Sequence, residues 1–330
     1  MRFALLGAGR IGAMHAEILA ALVEPGELIV ADLDASRAKT VASAVGARAA
    51  QISEAIQEAE ALVVAASSPA HPELIRAGIG RGIPVFCEKP LATTLDETRQ
   101  LVAEIEASGI PFQLGFQRRF DAAYREARRL VEDGSLGTLY VLCLAGHDPA
   151  PPHEAYIPLS GGIFNDFTVH DFDATRWLTG QEVEEVYADG GVLGFPVFAK
   201  YDDVDTAVAT LRLSGGARVI LSATRHDPLG YDIRTELFGS RDSVAIGLGP
   251  QTPMRSLEPG VPPPAGPAWS TFIDRFRAAY ENELRAFLRV ARREEESACT
   301  ARDGLEAVRV AVAATRSLHE HRPVRISEVT

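Results

Sequence analysis

The sequence predicts an α/β protein in which a doubly wound parallel sheet precedes a second α/β domain with an open, mainly antiparallel sheet. Three observations predict this. Apolar strands alternate with helical segments through the first third of the chain, a glycine-rich turn joins the first strand to the first helix, and later strands follow one another without helices between them. With 330 residues, 46% of them hydrophobic, the chain can bury two cores, and we expect domains over 1–118 and 119–330.

Composition excludes several classes of protein. The net charge of -12 and the pI of about 5.2 argue against binding to DNA, RNA or an anionic membrane. The three cysteines, Cys87, Cys143 and Cys299, form no Cys-x-x-Cys, which excludes a disulfide framework and a cysteine-rich zinc site. No apolar run approaches ~18 residues, and the N-terminal run is too short for a signal peptide. We therefore expect a soluble cytoplasmic protein.

The first element is a short apolar strand, Phe3–Leu6, followed by Gly7-Ala-Gly-Arg-Ile-Gly12 and a helical segment. This is G-x-G-x-x-G in the order strand, turn, helix. Gly7 permits the tight turn, Gly9 lets the backbone approach a pyrophosphate, and Gly12 lets helix and strand pack closely. The pattern predicts a dinucleotide-binding Rossmann domain.

A second strand, Leu28–Ala31, ends at Asp32, which lies 20 residues after Gly12. That is the spacing expected for an acid that binds the adenosine ribose hydroxyls. Its carboxylate would repel a 2′-phosphate, so NAD is favoured over NADP. Arg37 lies nearby in the sequence and could bind a 2′-phosphate, so NADP stays an alternative cofactor, although Arg37 is also suited to a solvated helix face.

Two further stretches follow predicted parallel strands at the edge where open α/β sheets bind ligands. After Ala61–Ala66 come Ser67 and His71; His71 either touches the nicotinamide ribose or starts the next helix. The next strand delivers Glu88 and Lys89 to the same edge. A lysine there can hydrogen-bond a substrate hydroxyl and lower the pKa of that hydroxyl, or it can be a surface residue that precedes a helix. The assigned cofactor residues are Gly7, Gly9, Arg10, Ile11, Gly12, Asp32, Ser67, His71 and Glu88.

In the second half, strand-like segments follow one another and predict an antiparallel meander. The segments are Glu182–Val192, Thr206–Leu213, Ala217–Thr224, Asp232–Phe238 and Ser243–Ile246, and a separate strand, Leu139–Ala145, comes earlier in the chain. An open sheet of this kind leaves a face and edges to cover, and an oligomer interface would cover them. A Pro- and Gly-rich loop over 249–267 and two amphipathic helices complete the chain.

Between these strands, the stretch Ser160–Trp177 is the candidate catalytic segment. Its apolar residues recur at close to helical period, so one helix would place Asp166 and His170 one turn apart on the same face. A carboxylate beside an imidazole favours the imidazolium and orients the ring, which suits proton transfer. The same pair could instead be a surface contact at a helix start, or bind a metal.

Taken together, the glycine loop, Asp32, Glu88-Lys89-Pro90 and the Asp166/His170 pair resemble the glucose–fructose oxidoreductase/inositol dehydrogenase/MocA superfamily, most closely its inositol 2-dehydrogenase branch. The resemblance covers nearly the whole chain. Further matching stretches are Gly115-Phe-Gln-Arg-Arg-Phe-Asp121, His147-Asp-Pro-Ala-Pro-Pro152, Asp203-Val-Asp-Thr206 and Gly230-Tyr-Asp232.

The resemblance implies a catalytic trio of Lys89, Asp166 and His170, a substrate contact at Tyr231, a cis Lys89–Pro90 bond, and homodimers or homotetramers formed through the sheet. It implies NAD-dependent oxidation of a secondary alcohol on a cyclic polyol or sugar, most closely myo-inositol, without a metal. The chain differs from the residues usual in this branch at Gln117, Pro228-Leu229 and Ile233, and these differences leave the exact polyol open.

Alternative interpretations remain at this stage. Within the superfamily, the chain could be an aldose, glucoside or trans-dihydrodiol dehydrogenase. Outside that activity, it could be a metal-dependent lyase or isomerase that uses Asp166 and His170 as ligands, or a non-catalytic NAD-binding sensor on the same fold.

Overall fold

The N-terminal sheet has six parallel strands in a computed structural model that describes residues 1–329. The strands are β1 (Phe3–Leu6), β2 (Leu28–Ala31), β3 (Arg48–Ala50), β4 (Ala61–Val64), β5 (Val85–Glu88) and β6 (Phe112–Gly115). Their order is β3-β2-β1-β4-β5-β6, so the winding reverses between β1 and β4. β1, β2 and β4 are fully buried, which explains why they read as continuous apolar runs. The predicted doubly wound sheet is confirmed.

Helices connect these strands, as the alternation predicts. They are α1 (Arg10–Ala20), α2 (Ala35–Val45), α3 (Ile52–Glu58), α4 (His71–Arg81) and α5 (Leu95–Ser108). Asp34 caps the N-terminus of α2, because its carboxylate accepts hydrogen bonds from the backbone N–H groups of Ser36 and Arg37. Thr94 caps α5 in the same way through its side chain. Neither β3 nor α3 was predicted, because β3 has only three residues, none of them buried, and α3 has only seven residues, of which one is buried.

The second sheet has seven strands. They are β7 (Leu139–His147), β8 (Val183–Gly191), β9 (Thr206–Leu213), β10 (Arg218–Thr224), β11 (Asp232–Gly239), β12 (Ser243–Ile246) and β13 (Val324–Arg325). Their order is β12-β11-β7-β10-β9-β8-β13, and every pair is antiparallel except β7 with β10. The open, mainly antiparallel sheet is confirmed. The simple meander was wrong, because β7 is inserted between β10 and β11.

The remaining helices include two short ones and two long ones. They are α6 (Ala122–Glu132), α7 (Ile157–Ser160), α8 (Ile163–Asp166), α9 (Val169–Thr179), α10 (Phe272–Ala291) and α11 (Ala301–Glu320). The predicted Pro- and Gly-rich loop is present before α10. Within residues 1–329, no helix is long and apolar enough to cross a membrane.

The chain divides into two compact units, and one of them is built from two separated segments. Unit 1 contains Met1–Phe120 and Ala278–Leu305, and unit 2 contains Asp121–Arg277 and the chain from Glu306 onward. The returning segment belongs to the core of unit 1, where the ring of Phe287 lies 6.3 Å from that of Phe3. The domain division at residue 118 stays a prediction, and it did not anticipate this return.

Candidate functional site

The turn after β1 contains two glycines that leave no room for a side chain. Gly7 has a φ of 104°, and a Cβ there would lie 2.5 Å from backbone atoms of Ala65, just after β4. A Cβ on Gly12 would lie 2.0 Å from the carbonyl oxygen of Gly7. The turn therefore closes against the end of β4, at the point where the strand order reverses and open α/β sheets bind ligands.

Gly9 has a different reason to be glycine. A Cβ there would meet no atom of residues 1–329 within 4 Å, and its φ of -70° suits any residue. Packing of the protein itself therefore does not require glycine here. The open space lies directly before α1, whose first residues are Arg10 and Ile11, and free N–H groups at a helix start attract phosphate. The loop thus fits the pyrophosphate of a dinucleotide.

The carboxylate of Asp32 lies beside the same loop, at the end of β2. Its Oδ2 accepts a 2.7 Å hydrogen bond from the N–H of Ala8, and its Oδ1 accepts a 2.8 Å bond from the N–H of Asp34. The guanidinium of Arg37 lies 3.6 Å from Oδ1. Since a carboxylate offers about four lone-pair sites, Asp32 can anchor the glycine loop and still accept a ribose hydroxyl.

His71 links the segments that follow β4 and β5. Its buried ring places Nδ1 2.7 Å from the carbonyl oxygen of Pro90 and Nε2 3.0 Å from that of Ala66. Burial lowers the pKa of His71, so the neutral ring donates to one of these oxygens at a time. The predicted helix start at this residue is confirmed, and the Lys89–Pro90 bond is cis, as the resemblance implied. Ser67 is exposed, and cofactor contacts of Ser67 and His71 stay predictions.

Glu88 forms part of a buried group of polar side chains. Its Oε1 lies 2.7 Å from Nε2 of His15, a fully buried residue on α1. A second acid, Glu283 on α10, is completely buried, and its carboxylate has no hydrogen-bond partner in the described part of the chain. Burial, together with the charge of Glu88, raises the pKa of Glu283 well above its usual range. The sequence offered one signal for Glu283, a charged residue on the apolar face of a helix.

The single helix predicted after Gly161 and Gly162, from Ile163 through Trp177, is interrupted, and that prediction was wrong. α8 ends at Asp166, and α9 starts at Val169. The N–H of Thr168 donates to the carbonyl oxygen of Ile163, five residues back, instead of four. The Thr168 hydroxyl also donates to the carbonyl oxygen of Phe164, and such back-bonding bends helices. Asp166 and His170 therefore lie on two successive helices and not on one face of one helix.

Two glycines position α8. Gly161 and Gly162 have φ values of 78° and 87°, which favour glycine, and the N–H of Ile163 then donates to Oδ1 of Asp203 at 3.0 Å. Burial raises the pKa of Asp203, although it accepts two backbone hydrogen bonds. The first turn of α8 is therefore attached to the segment that precedes β9.

Both carboxylate oxygens of Asp166 have partners. The hydroxyl of Tyr156 donates to Oδ1 at 2.8 Å, and Nη1 of Arg225 lies 3.0 Å from Oδ2. Neither partner was predicted. Arg225 directly follows β10, at a position that the strand alternation makes inward-facing, and an arginine at such a position is the signal that could have identified it.

Tyr231, the predicted substrate contact, is buried and directly precedes β11. Its backbone N–H donates to the carbonyl oxygen of Trp269 at 2.7 Å, which anchors the strand start to the segment before α10. A Cβ on the preceding Gly230 would lie 2.6 Å from the side chain of Ala268, so glycine is required at this close approach.

One group of three potential metal ligands is present among residues 1–329, and it contains neither Asp166 nor His170. It consists of His147, Asp227 and Asp232, with ligand atoms within 4.8 Å of one another. Asp232 already accepts hydrogen bonds of 2.9 Å and 3.0 Å from the guanidinium of Arg234. Although burial opposes ionisation, the bonds from His147 and Arg234 lower the pKa of Asp232. Ion pairing accounts for this group.

The predicted site residues are divided between the two units. The glycine loop, Asp32, Glu88 and Lys89 belong to unit 1, whereas Asp166, His170 and Tyr231 belong to unit 2. Their joint action stays a prediction.

Comparison with known proteins matches both halves of the chain. Residues 1–116 match a family described as an oxidoreductase family with an NAD-binding Rossmann fold, and residues 124–245 match the GFO/IDH/MocA C-terminal domain. A myo-inositol dehydrogenase of Streptomyces leeuwenhoekii is 40% identical over 322 residues, which cover 96% of this chain and 97% of that protein.

Solved structures show the same architecture over the full length. A probable dehydrogenase from Thermotoga maritima superimposes with a TM-score of 0.92 at 34% identity and covers 100% of both chains. A scyllo-inositol dehydrogenase from Lactobacillus casei, solved with bound NAD(H) and scyllo-inositol, gives a TM-score of 0.88 at 25% identity and covers 99% of both chains.

Proposed function

Because this chain belongs to the GFO/IDH/MocA family of NAD-dependent oxidoreductases, we propose that it oxidises one secondary alcohol of an inositol to the corresponding ketone. The observation that carries this proposal is the full-length similarity to inositol dehydrogenases, on a chain whose first turn leaves space for a pyrophosphate. The relatives include myo- and scyllo-inositol dehydrogenases, so the stereoisomer is decided by assay.

The residues of unit 1 would hold the cofactor. The N–H groups at the start of α1 receive the phosphates beside Gly9, and Asp32 accepts the ribose hydroxyls. NAD, when bound, supplies the hydride acceptor. The preference for NAD over NADP follows from Asp32, whose carboxylate repels a 2′-phosphate, although Arg37 is close enough to weaken that repulsion.

Three side chains carry the proposed proton chemistry. His170 acts as general base and takes the proton of the substrate hydroxyl. Asp166 orients the ring of His170 and stabilises the imidazolium that forms. Lys89 donates a hydrogen bond to the same hydroxyl oxygen and stabilises its developing negative charge. Tyr231 contributes to substrate binding.

We extend the proposal to assembly as a homodimer or homotetramer through the second sheet. Apolar side chains are exposed on one face of that sheet, and Tyr187 and Ile220 are both aligned with Thr210 of the strand between them. Tyr187 is 42% exposed and Ile220 53%. Large apolar side chains exposed on one face of a sheet are suited to an interface. Light scattering on the native protein and on Ile220→Asp would test this, because dissociation to a monomer is expected only in the variant.

We also propose a cytoplasmic location, since NAD-linked oxidation draws on the nicotinamide pool of the cell. Fractionation of cells that express the tagged protein would test it, and recovery with the membrane or outside the cell would contradict it.

The decisive experiment for the activity is NADH formation by the purified protein. The panel contains myo-, scyllo- and chiro-inositol, glucose, galactose and xylose, each with NAD and with NADP. Turnover of an inositol with NAD is expected. Turnover of an aldose alone would keep the mechanism and correct the substrate. Binding of NAD without turnover of any compound would favour a non-catalytic sensor.

A further inference from the structure

Arg225 is a buried cation at the ends of two neighbouring parallel strands. β10 pairs with β7 so that Thr224 is aligned with His147, and the next residues, Arg225 and Asp148, therefore leave the sheet side by side. The guanidinium is 3% exposed, and its Nη1 lies 3.0 Å from Asp166 and 3.5 Å from Asp148.

The charge of Arg225 is shared among three acids of unit 2. Asp166 lies closest, Asp148 is at longer distance, and Asp203 adds a further negative charge nearby. Burial of the guanidinium opposes its charged form, but these carboxylates outweigh burial and raise the pKa of Arg225. Its Nε and Nη2 atoms have no hydrogen-bond partner within residues 1–329. One charge-assisted bond to Asp166 is therefore the main polar contact of the side chain.

We propose that Arg225 is a positioning residue for the oxidation, because it holds the Asp166 carboxylate in a fixed orientation and in its negative form. This inference rests on the proposed function, in which Asp166 orients His170. Tyr156 fixes the other oxygen, so the carboxylate cannot rotate without breaking one of two hydrogen bonds. A carboxylate beside the cation stays ionised to lower pH than one that faces only Asp148 and Asp203.

The test compares Arg225→Met, which removes the charge at similar volume, with Arg225→Lys, which keeps it. kcat is measured from pH 5 to 9 with saturating NAD and inositol. In Arg225→Met we expect the acid limb to move up by about one pH unit or more, because loss of the cation makes protonation of Asp166 and of the base His170 beside it more favourable. We expect kcat at neutral pH to fall about 10- to 100-fold. Arg225→Lys should restore the position of the acid limb.

Two further variants separate this role from a structural one. Arg234→Met removes a cation from Asp232, which is not bonded to Asp166, and the acid limb should not move. Asp148→Asn removes an acid that competes for Arg225, and the acid limb should move to lower pH. This variant keeps the test valid if Arg225→Met does not fold. A loss of kcat in Arg225→Met that is equal at every pH, or an unmoved limb in Asp148→Asn, would overturn the proposal.

A direct titration distinguishes failure of this inference from failure of the proposed function. In protein labelled with ¹³C at aspartate carboxyl groups, the Asp166 signal is identified by its loss in Asp166→Asn. Its titration midpoint should be higher in Arg225→Met than in the native protein, whether or not an inositol is turned over. Equal midpoints would overturn the role of Arg225, whereas a shifted midpoint without turnover would refute only the proposed substrate.

Discussion

The glycine loop allows packing to be separated from cofactor binding with one pair of variants, Gly12→Ala and Gly9→Ala. A Cβ on Gly12 would lie 2.0 Å from the carbonyl oxygen of Gly7, far inside the ~3.5 Å at which non-bonded atoms are most stable. Because the clash is with backbone, α1 or the turn must move. Overpacking commonly costs 1–3 kcal/mol, and we expect about 3 kcal/mol here. In a unit of this size, such a loss of stability lowers the Tm by roughly 6–12 °C.

Gly9→Ala meets no such clash. Alanine is a poorer N-cap residue than glycine, which costs about 0.5–1 kcal/mol, but it reduces the freedom of the unfolded chain by a similar amount. The Tm should therefore stay within about 2 °C of the native value. The methyl group enters the space proposed for the pyrophosphate, so we expect the Kd for NAD to rise tenfold or more, about 1.4 kcal/mol.

Thermal unfolding without cofactor and NAD binding by calorimetry together measure both effects. The expected pattern is a stability defect in Gly12→Ala and a binding defect, with normal stability, in Gly9→Ala. Native NAD affinity in Gly9→Ala would refute the idea that the cofactor approaches this backbone. A native Tm in Gly12→Ala would refute the packing argument.

Three other predictions concern single side chains. Lys89→Met should lower kcat by about 10²–10³ with the Kd for NAD unchanged, because it removes the charge that stabilises the developing alkoxide; steady-state kinetics with intact turnover would exclude Lys89 from the trio. Glu283→Gln should match the native unfolding free energy near pH 4.5 and exceed it by about 1–3 kcal/mol at pH 8. Because the pKa of Glu283 is raised in the folded protein, its protonated form stabilises the folded state at any pH below the pKa of the unfolded chain. This stabilisation is lost as the pH rises toward the pKa of the folded state, and denaturant titrations with no pH-dependent difference between Glu283→Gln and the native protein would contradict this. Asp32→Ser should raise the ratio of kcat/KM for NADP to that for NAD at least tenfold, since it removes a repulsive charge and releases Arg37; an unchanged ratio in parallel assays would show that Asp32 does not select the cofactor.

Local pattern was enough for the parts of the site that depend on neighbours in sequence. The turn from Gly7 to Gly12 could be recognised because a tight turn and a close helix each require glycine at a set spacing, and the acid at Asp32 lies beside that turn as the same pattern predicts, whereas its ribose contact stays a prediction. The two amphipathic helices predicted near the end of the chain are also present, as α10 and α11.

The break between α8 and α9 could not be predicted in the same way. The spacing of Asp166 and His170 suits an unbroken helix, and the local apolar pattern gives no sign of the five-residue hydrogen bond at Thr168. Attachment of Ile163 to Asp203, 40 residues away, is a contact that favours the observed arrangement.

By itself, the sequence determined the fold class and the glycine turn, because both depend on short-range spacing, and its resemblance to the family named the candidate catalytic residues. Only the tertiary structure decided which groups surround them. β7 lies between β10 and β11, and that order brings Asp148 next to Arg225. Residues 278–305 return to unit 1, and Glu283 is therefore close enough to Glu88 for the charge of Glu88 to raise the pKa of Glu283. Such partners are chosen by strand order and burial across long stretches of chain, which no local pattern encodes.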